Sequence, residues 1–123
     1  MSQATMSFST VSDGPTSDPR GLVARYFRIW NDGDPSTVGQ LIGPGWVDHA
    51  QPERRTADDV QSAISDFRAT QPDTRVLVDA VLGDGGLVTV NGRIERHGVI
   101  ENRVWIVRVE GDRMVEMWTY AAD

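Results

Sequence analysis

A chain of 123 residues with 12 basic against 18 acidic groups, a net charge of −6, has room for one domain and one core. Its densest basic cluster is Arg54-Arg55, too little to hold a phosphate backbone, and nucleic acid is excluded as an expected partner. Cysteine is absent and every basic residue is Arg, which removes disulfides, thiolate nucleophiles, Cys-based zinc or iron–sulfur sites, Schiff-base lysines, a pyridoxal anchor and a P-loop lysine together.

Residues 1–17, MSQATMSFSTVSDGPTS, are rich in Ser and Thr with scattered apolar residues, and are expected to form a disordered tail ahead of a single domain over 18–123. The first basic residue is Arg20 and no long apolar run follows, so no signal peptide or membrane span is readable and a cytoplasmic location is expected.

Asp18 as N-cap and Pro19 at the first helical position open a helix whose apolar stripe is Leu22, Val23, Tyr26, Phe27 and Trp30, stopped by Asn31 to Gly33. Asp34-Pro35 repeats the signal for a short second helix with Val38, Leu41 and Ile42 inward, ended by Gly43-Pro44-Gly45. WVDHA reads as a short extended piece. Thr56 and Asp59 have the spacing of a capping box for a third helix, with Val60, Ile64 and Phe67 as its buried stripe. Beyond Pro72 the period changes to that of strands: RVLVDAVL, LVTVNGRIER, VIENRVWIVRVE and RMVEMWTY are β-branched or aromatic runs separated by glycine-containing turns. Helices first and an antiparallel meander afterwards predict an α+β domain with helices on one sheet face.

The strand VNGRIERHG alternates Asn91, Arg93 and Glu95 on one side with Val90, Gly92 and Ile94 on the other. Pairing the first two long strands about a Gly83–Gly86 loop sets Thr89, Asn91 and Arg93 on the face of Ala80, Val78 and Val76, a surface too apolar for solvent. Arg93 and Glu95 are therefore expected on a pocket wall. The other face is expected to be covered by a second copy of the chain, giving a homodimer through the outer sheet face. A one-residue slip, or a bulge at Gly92, would exchange the two faces.

The order of three helices and a long curved meander is that of the cone-shaped nuclear transport factor 2-like fold. The stretches YFRIWNDGD, WVDHAQP, ATQPDTRVLV and GDRMVEMWTYAAD resemble, in order and spacing, SnoaL-like polyketide cyclases, and the resemblance covers about residues 20–123. It implies a pocket between sheet and helices, a homodimer, and cofactor-independent chemistry on cyclic or polyketide-derived molecules. Ketosteroid isomerase-like relatives carry a general-base Asp in the extended piece after the second helix, a position that falls on His49 or Asp48. Limonene epoxide hydrolase-like enzymes carry Arg-x-Asp on a central strand, matched by Arg93-Ile94-Glu95, and a second Asp two residues after a Trp, where this chain has Tyr120 after Trp118.

His49, one of two histidines beside His97 in a hairpin tip, is the leading candidate for general acid or base, with Asp48 as its neighbour. Arg93 holding Glu95 as a base is the alternative, and would serve epoxide hydrolysis. Tyr26, Trp30, Trp46, Phe67, Trp105 and Trp118, with Asn91, are candidate lining for a flat apolar ligand, and Tyr120 and Asn31 are candidates to hydrogen-bond a carbonyl or enolate oxygen. A metal site from Asp48, His49 and Glu53 has no spacing to enforce it, so neither a metal nor a cofactor is expected. The competing class is a non-catalytic ligand-binding or dimerisation module with the same pocket.

Overall fold

The computed structural model describes residues 18–122; the tail expected over residues 1–17 lies outside them. Helix α1 (Pro19–Asn31) is opened as the sequence predicts, with the Asp18 side chain accepting from the Arg20 amide. A 3₁₀ helix (Pro35–Gln40), capped by Asp34, and helix α2 (Ala57–Thr70) complete the helical layer. Both halves of the Thr56–Asp59 capping box form. The Gly43-Pro44-Gly45 segment, expected to end the second helix, instead lies inside strand β1 (Ile42–Asp48). Four longer strands follow: β2 (Arg75–Asp84), β3 (Leu87–Arg96), β4 (Val99–Glu110) and β5 (Arg113–Ala121). The sheet order is β1-β5-β4-β3-β2, with β1 parallel to β5 and the other pairs antiparallel.

The core lies between the helices and the concave face of the sheet. Leu22, Val23, Phe27 and Ile29 of α1 and Val60 and Ile64 of α2 pack against Val88, Val90, Trp105, Val107, Met114 and Met117 of the strands. Two side chains tie the helices down at their ends. Asn31 brackets Val76 on the open edge of the sheet, its Nδ2 donating to the Val76 carbonyl at 2.6 Å and its Oδ1 accepting from the Val76 amide at 2.8 Å. Arg68 of α2 donates to the carbonyls of Ile29, in the last turn of α1, and of Gly33, just beyond its end.

The register of β2 on β3 corrects the expectation. The turn is only Gly85-Gly86, so Asp84 pairs with Leu87, and a bulge at Asp79 shifts the ladder from Ala80↔Asn91 to Val78↔Gly92 and Leu77↔Arg93. Val76 consequently faces Ile94 rather than Arg93. Because strand side chains alternate, Val88, Val90, Gly92, Ile94 and Arg96 face the helices, while Asn91, Arg93 and Glu95 face away. Arg93 is spent there on a bidentate pair with Asp79, at 2.9 and 3.1 Å.

Gly92 is the residue on which this register turns. A methyl group added there would overlap the Leu77 carbonyl oxygen and come within 3.0 Å of the Trp105 ring. Gly→Ala at a compatible site stabilises by restricting the unfolded chain; here overpacking reverses the sign. Gly92→Ala is expected to lower the unfolding free energy by about 1–3 kcal/mol in chemical denaturation, and a variant as stable as the parent would refute the close approach.

Candidate functional site

The helical layer and the concave sheet face do not close completely. Between them lies a cavity of about 370 Å³, within the size range of small-molecule sites. Its apolar wall is aromatic: Tyr26, Phe27 and Trp30 from α1, Phe67 from α2 and Trp105 from β4. Phe27 lies against Trp105 with ring centroids 4.7 Å apart, and Trp30 meets Phe67 edge-on at 5.3 Å. These rings come from three elements, two helices and a strand, so the wall holds its shape through packing rather than through one element. The polar lining includes Asp48, Gln51, Arg54, Arg96, Arg103 and Thr119.

Asp48 ends β1 and is almost fully buried, with 2% of its surface exposed. Its Oδ1 accepts from the backbone amides of Ala50 at 3.0 Å and Gln51 at 3.2 Å, which leaves Oδ2 without a donor among the described residues. Burial raises the carboxyl's pKa above the ordinary value, against the two amides and the positive field of Arg54, while Glu53 adds to the rise. Tyr26 is its phenolic neighbour. Burial holds that hydroxyl protonated well above the usual range, with the Trp30 side chain and Arg54 opposing and the negative field of Asp48 reinforcing the effect. Arg54 itself sits with its guanidinium carbon 5.4 Å over the Trp30 ring.

The candidates read from the sequence divide sharply. Asp48, Tyr26, Trp30, Phe67 and Trp105 line the cavity. His49 does not: alternation along the strand end puts it on the opposite side of the sheet from Asp48, where its ring stacks on Trp118 at 5.0 Å and its Nε2 lies 2.6 Å from Glu116. Glu116 also accepts from Arg108 at 3.0 Å, and these two partners hold its carboxyl below the ordinary carboxylate range. Arg93, Glu95 and Asn91 face outward by the alternation of β3, so Arg-x-Glu is no pocket wall and loses its role in epoxide hydrolysis. Trp118 and Tyr120 pair with Ile106 and Val104 on that same outer face. Trp46 is buried core against Tyr26 and does not reach the cavity. Asn31 is committed to the Val76 backbone.

Asp48 and His49 thus diverge, which prevents the metal set considered with Glu53; among the described residues no group of three or more His, Asp or Glu converges. Gln51, Arg54, Arg96, Arg103 and Thr119 had not been singled out. Arg96 was readable in principle, since it follows Ile94 at strand period, and Arg103 precedes Trp105 by the same spacing. Gln51 and Arg54 sit in an aperiodic loop that carries no such signal.

The model of the SnoaL-like domain matches residues 23–121. Among solved structures, IdmH from Streptomyces antibioticus, a candidate polyketide cyclase, is 23% identical, with 84% of this chain and 91% of that chain covered and a TM-score of 0.67. A candidate polyketide cyclase from Bacillus cereus is 19% identical over 82% of this chain and 72% of that chain, with a TM-score of 0.69. A candidate isomerase of the SnoaL-like family from Agrobacterium tumefaciens is 16% identical, covering 83% and 95%, with a TM-score of 0.68. No match was found among curated proteins. At these identities the structural likeness speaks for the fold, and the family match over most of the chain carries the conclusion: the chain belongs to the SnoaL-like domain family.

Proposed function

We propose that the protein is a cofactor-independent enzyme of the cyclase or isomerase type, moving protons on an apolar cyclic molecule with Asp48 as the general base. One observation supports this above the others: a carboxyl buried at an aromatic cavity, its pKa raised and one of its oxygens free of donors among the described residues. Raised basicity brings a carboxylate toward the range useful for abstracting a proton next to a carbonyl. The two amides on Oδ1 fix its orientation, so Oδ2 is the atom that takes the proton. Tyr26, kept protonated, is the donor available to a developing enolate oxygen. The similar solved structures described as a candidate polyketide cyclase and a candidate isomerase agree with this class of reaction.

The outer sheet face we assign to a second copy of the chain. Val104 lies opposite Tyr120 and Ile106 opposite Trp118 across β4 and β5, and Tyr120 and Ile100 are about half exposed. The charged groups beside them, Arg93 with Asp79 and Arg108 with Glu116, are already paired within the chain. A two-fold contact makes such an apolar stripe its own complement. Sedimentation equilibrium is expected to give twice the chain mass, weakened by Trp118→Glu; a monomer at all concentrations would refute the assignment.

Proton abstraction can be followed without the natural substrate. In D₂O, deuterium uptake at the benzylic C–H of 2-tetralone, read by proton NMR, should be accelerated by the protein and rise with pH through the raised pKa of Asp48. Asp48→Asn is expected to reduce the acceleration about 100-fold or more, while His49→Ala and Glu95→Gln, away from the cavity, retain it. Exchange unaffected by Asp48→Asn would overturn the role of Asp48, and no exchange with the parent protein would leave the cavity as a binding site.

Stability should carry the same signature. With its folded-state pKa above the unfolded value, Asp48 makes the native protein bind more protons than the unfolded chain between those two pKa values, so stability falls as pH rises through that window and stays lower above it. Asp48→Asn, whose Oδ1 can still accept from the two amides, escapes this loss. The melting temperature of the variant is expected to gain on the parent as pH rises above the ordinary Asp range; a difference independent of pH would contradict the raised pKa.

A further inference from the structure

We infer that the molecule bound in the cavity carries a carboxylate on its apolar ring system, received by Arg54 and Arg96. This rests on the acid–base reading of the cavity and adds the charge of its substrate. In a chain with a net charge of −6, the cavity lining runs the other way: Arg54, Arg96 and Arg103 stand against the single carboxylate of Asp48. Arg103 is occupied, donating to Glu101 at 2.9 Å and to the Asn102 carbonyl at 3.0 Å. Arg54 and Arg96 have no ion-pair partner among the described residues, although five other arginines of the chain, Arg20, Arg93, Arg103, Arg108 and Arg113, do.

The two free guanidiniums are placed to be used. Arg54 is held by stacking on Trp30, an interaction that orients the planar head without spending its N–H donors. Arg96 lies where the cavity adjoins a smaller recess of about 160 Å³ formed by Thr70 to Thr74 and His97, and it lines both. Asp73 is the carboxylate of that recess and makes no ion pair with Arg96. With Glu101 matched to Arg103 and Asp48 ionised as the base, the lining retains one unmatched positive charge. A single carboxylate neutralises it, and the flat fork of a guanidinium suits a carboxylate in two-point contact.

Calorimetric titration of the full chain with 2-naphthylacetate and with 2-naphthylacetamide, alike in shape and different in charge, tests this. The acid is expected to bind about tenfold more tightly than the amide, a gap that narrows in high salt, where exposed charge pairs are screened. Arg96→Gln and Arg54→Gln should each narrow the gap and together close it; Arg55→Gln, exposed and outside the lining, should leave it intact. Because Arg96 is exposed at a strand end, its variant keeps the test readable if the Arg54 variant does not fold. Equal affinity for acid and amide, or a gap that survives both substitutions, overturns the inference while the cavity reading stands. Binding of neither overturns both.

Discussion

The contact between β2 and β3 at Gly92 decides which side chains of β2 reach the cavity and lets Trp105 reach its wall. With no side chain of its own, Gly92 lets the Leu77 carbonyl and the Trp105 ring approach its Cα from two directions. The bulge at Asp79 then absorbs one residue of β2, and from that point toward the mouth of the cavity every side chain of β2 faces the side opposite to the one an unbroken ladder would dictate. Val76 enters the lining through that shift, while Ile94 and Arg96 of β3 face the cavity, and Arg93 and Glu95 face away, by the unbroken alternation of β3 against β4. Trp105, resting on the bare backbone, is in turn free to meet Phe27 and close the apolar wall. Curvature, register and the chemistry of the lining are thus one constraint seen at three scales.

Asp48 shows how the same layer geometry handles a charge. Its burial disfavours the ionised form, and the amides of Ala50 and Gln51 restrain that penalty without abolishing it. A carboxylate left with no donors would simply stay protonated; one with donors on both oxygens would lose its basicity. Two bonds on one oxygen lie between these limits. The β1 strand end supplies them because the chain turns immediately after Asp48, bringing the next amides back onto its own side chain.

Much of the architecture was legible in the sequence. The caps at Asp18 and Thr56, and the four strand segments after Pro72, are local signals, and each falls where hydrogen bonds and periodicity require. The α+β order and the resemblance to SnoaL-like proteins followed from them. Facing was not legible in the same way. Turn length in the β2–β3 hairpin was ambiguous because Gly83, Gly85 and Gly86 all permit it, and a bulge has no composition of its own. A pair of residues such as Arg93 and Glu95 can therefore have the right spacing on the wrong side. Asn31 failed for a different reason: its amide satisfies a strand edge 45 residues away, a partner that sequence proximity cannot reveal.

The divergence of Asp48 and His49 follows from period two at the end of β1, and it links the two faces of the sheet. The His49 amide donates to the Met117 carbonyl at 2.9 Å, anchoring the segment to β5. Met117 lines the cavity, while its neighbours Glu116 and Trp118 hold the His49 ring on the far side. The peptide that aims Asp48 inward is thus fixed by a main-chain bond that does not depend on the His49 ring, and the ring's own contacts on the outer face leave the Asp48 carboxyl with its two amides.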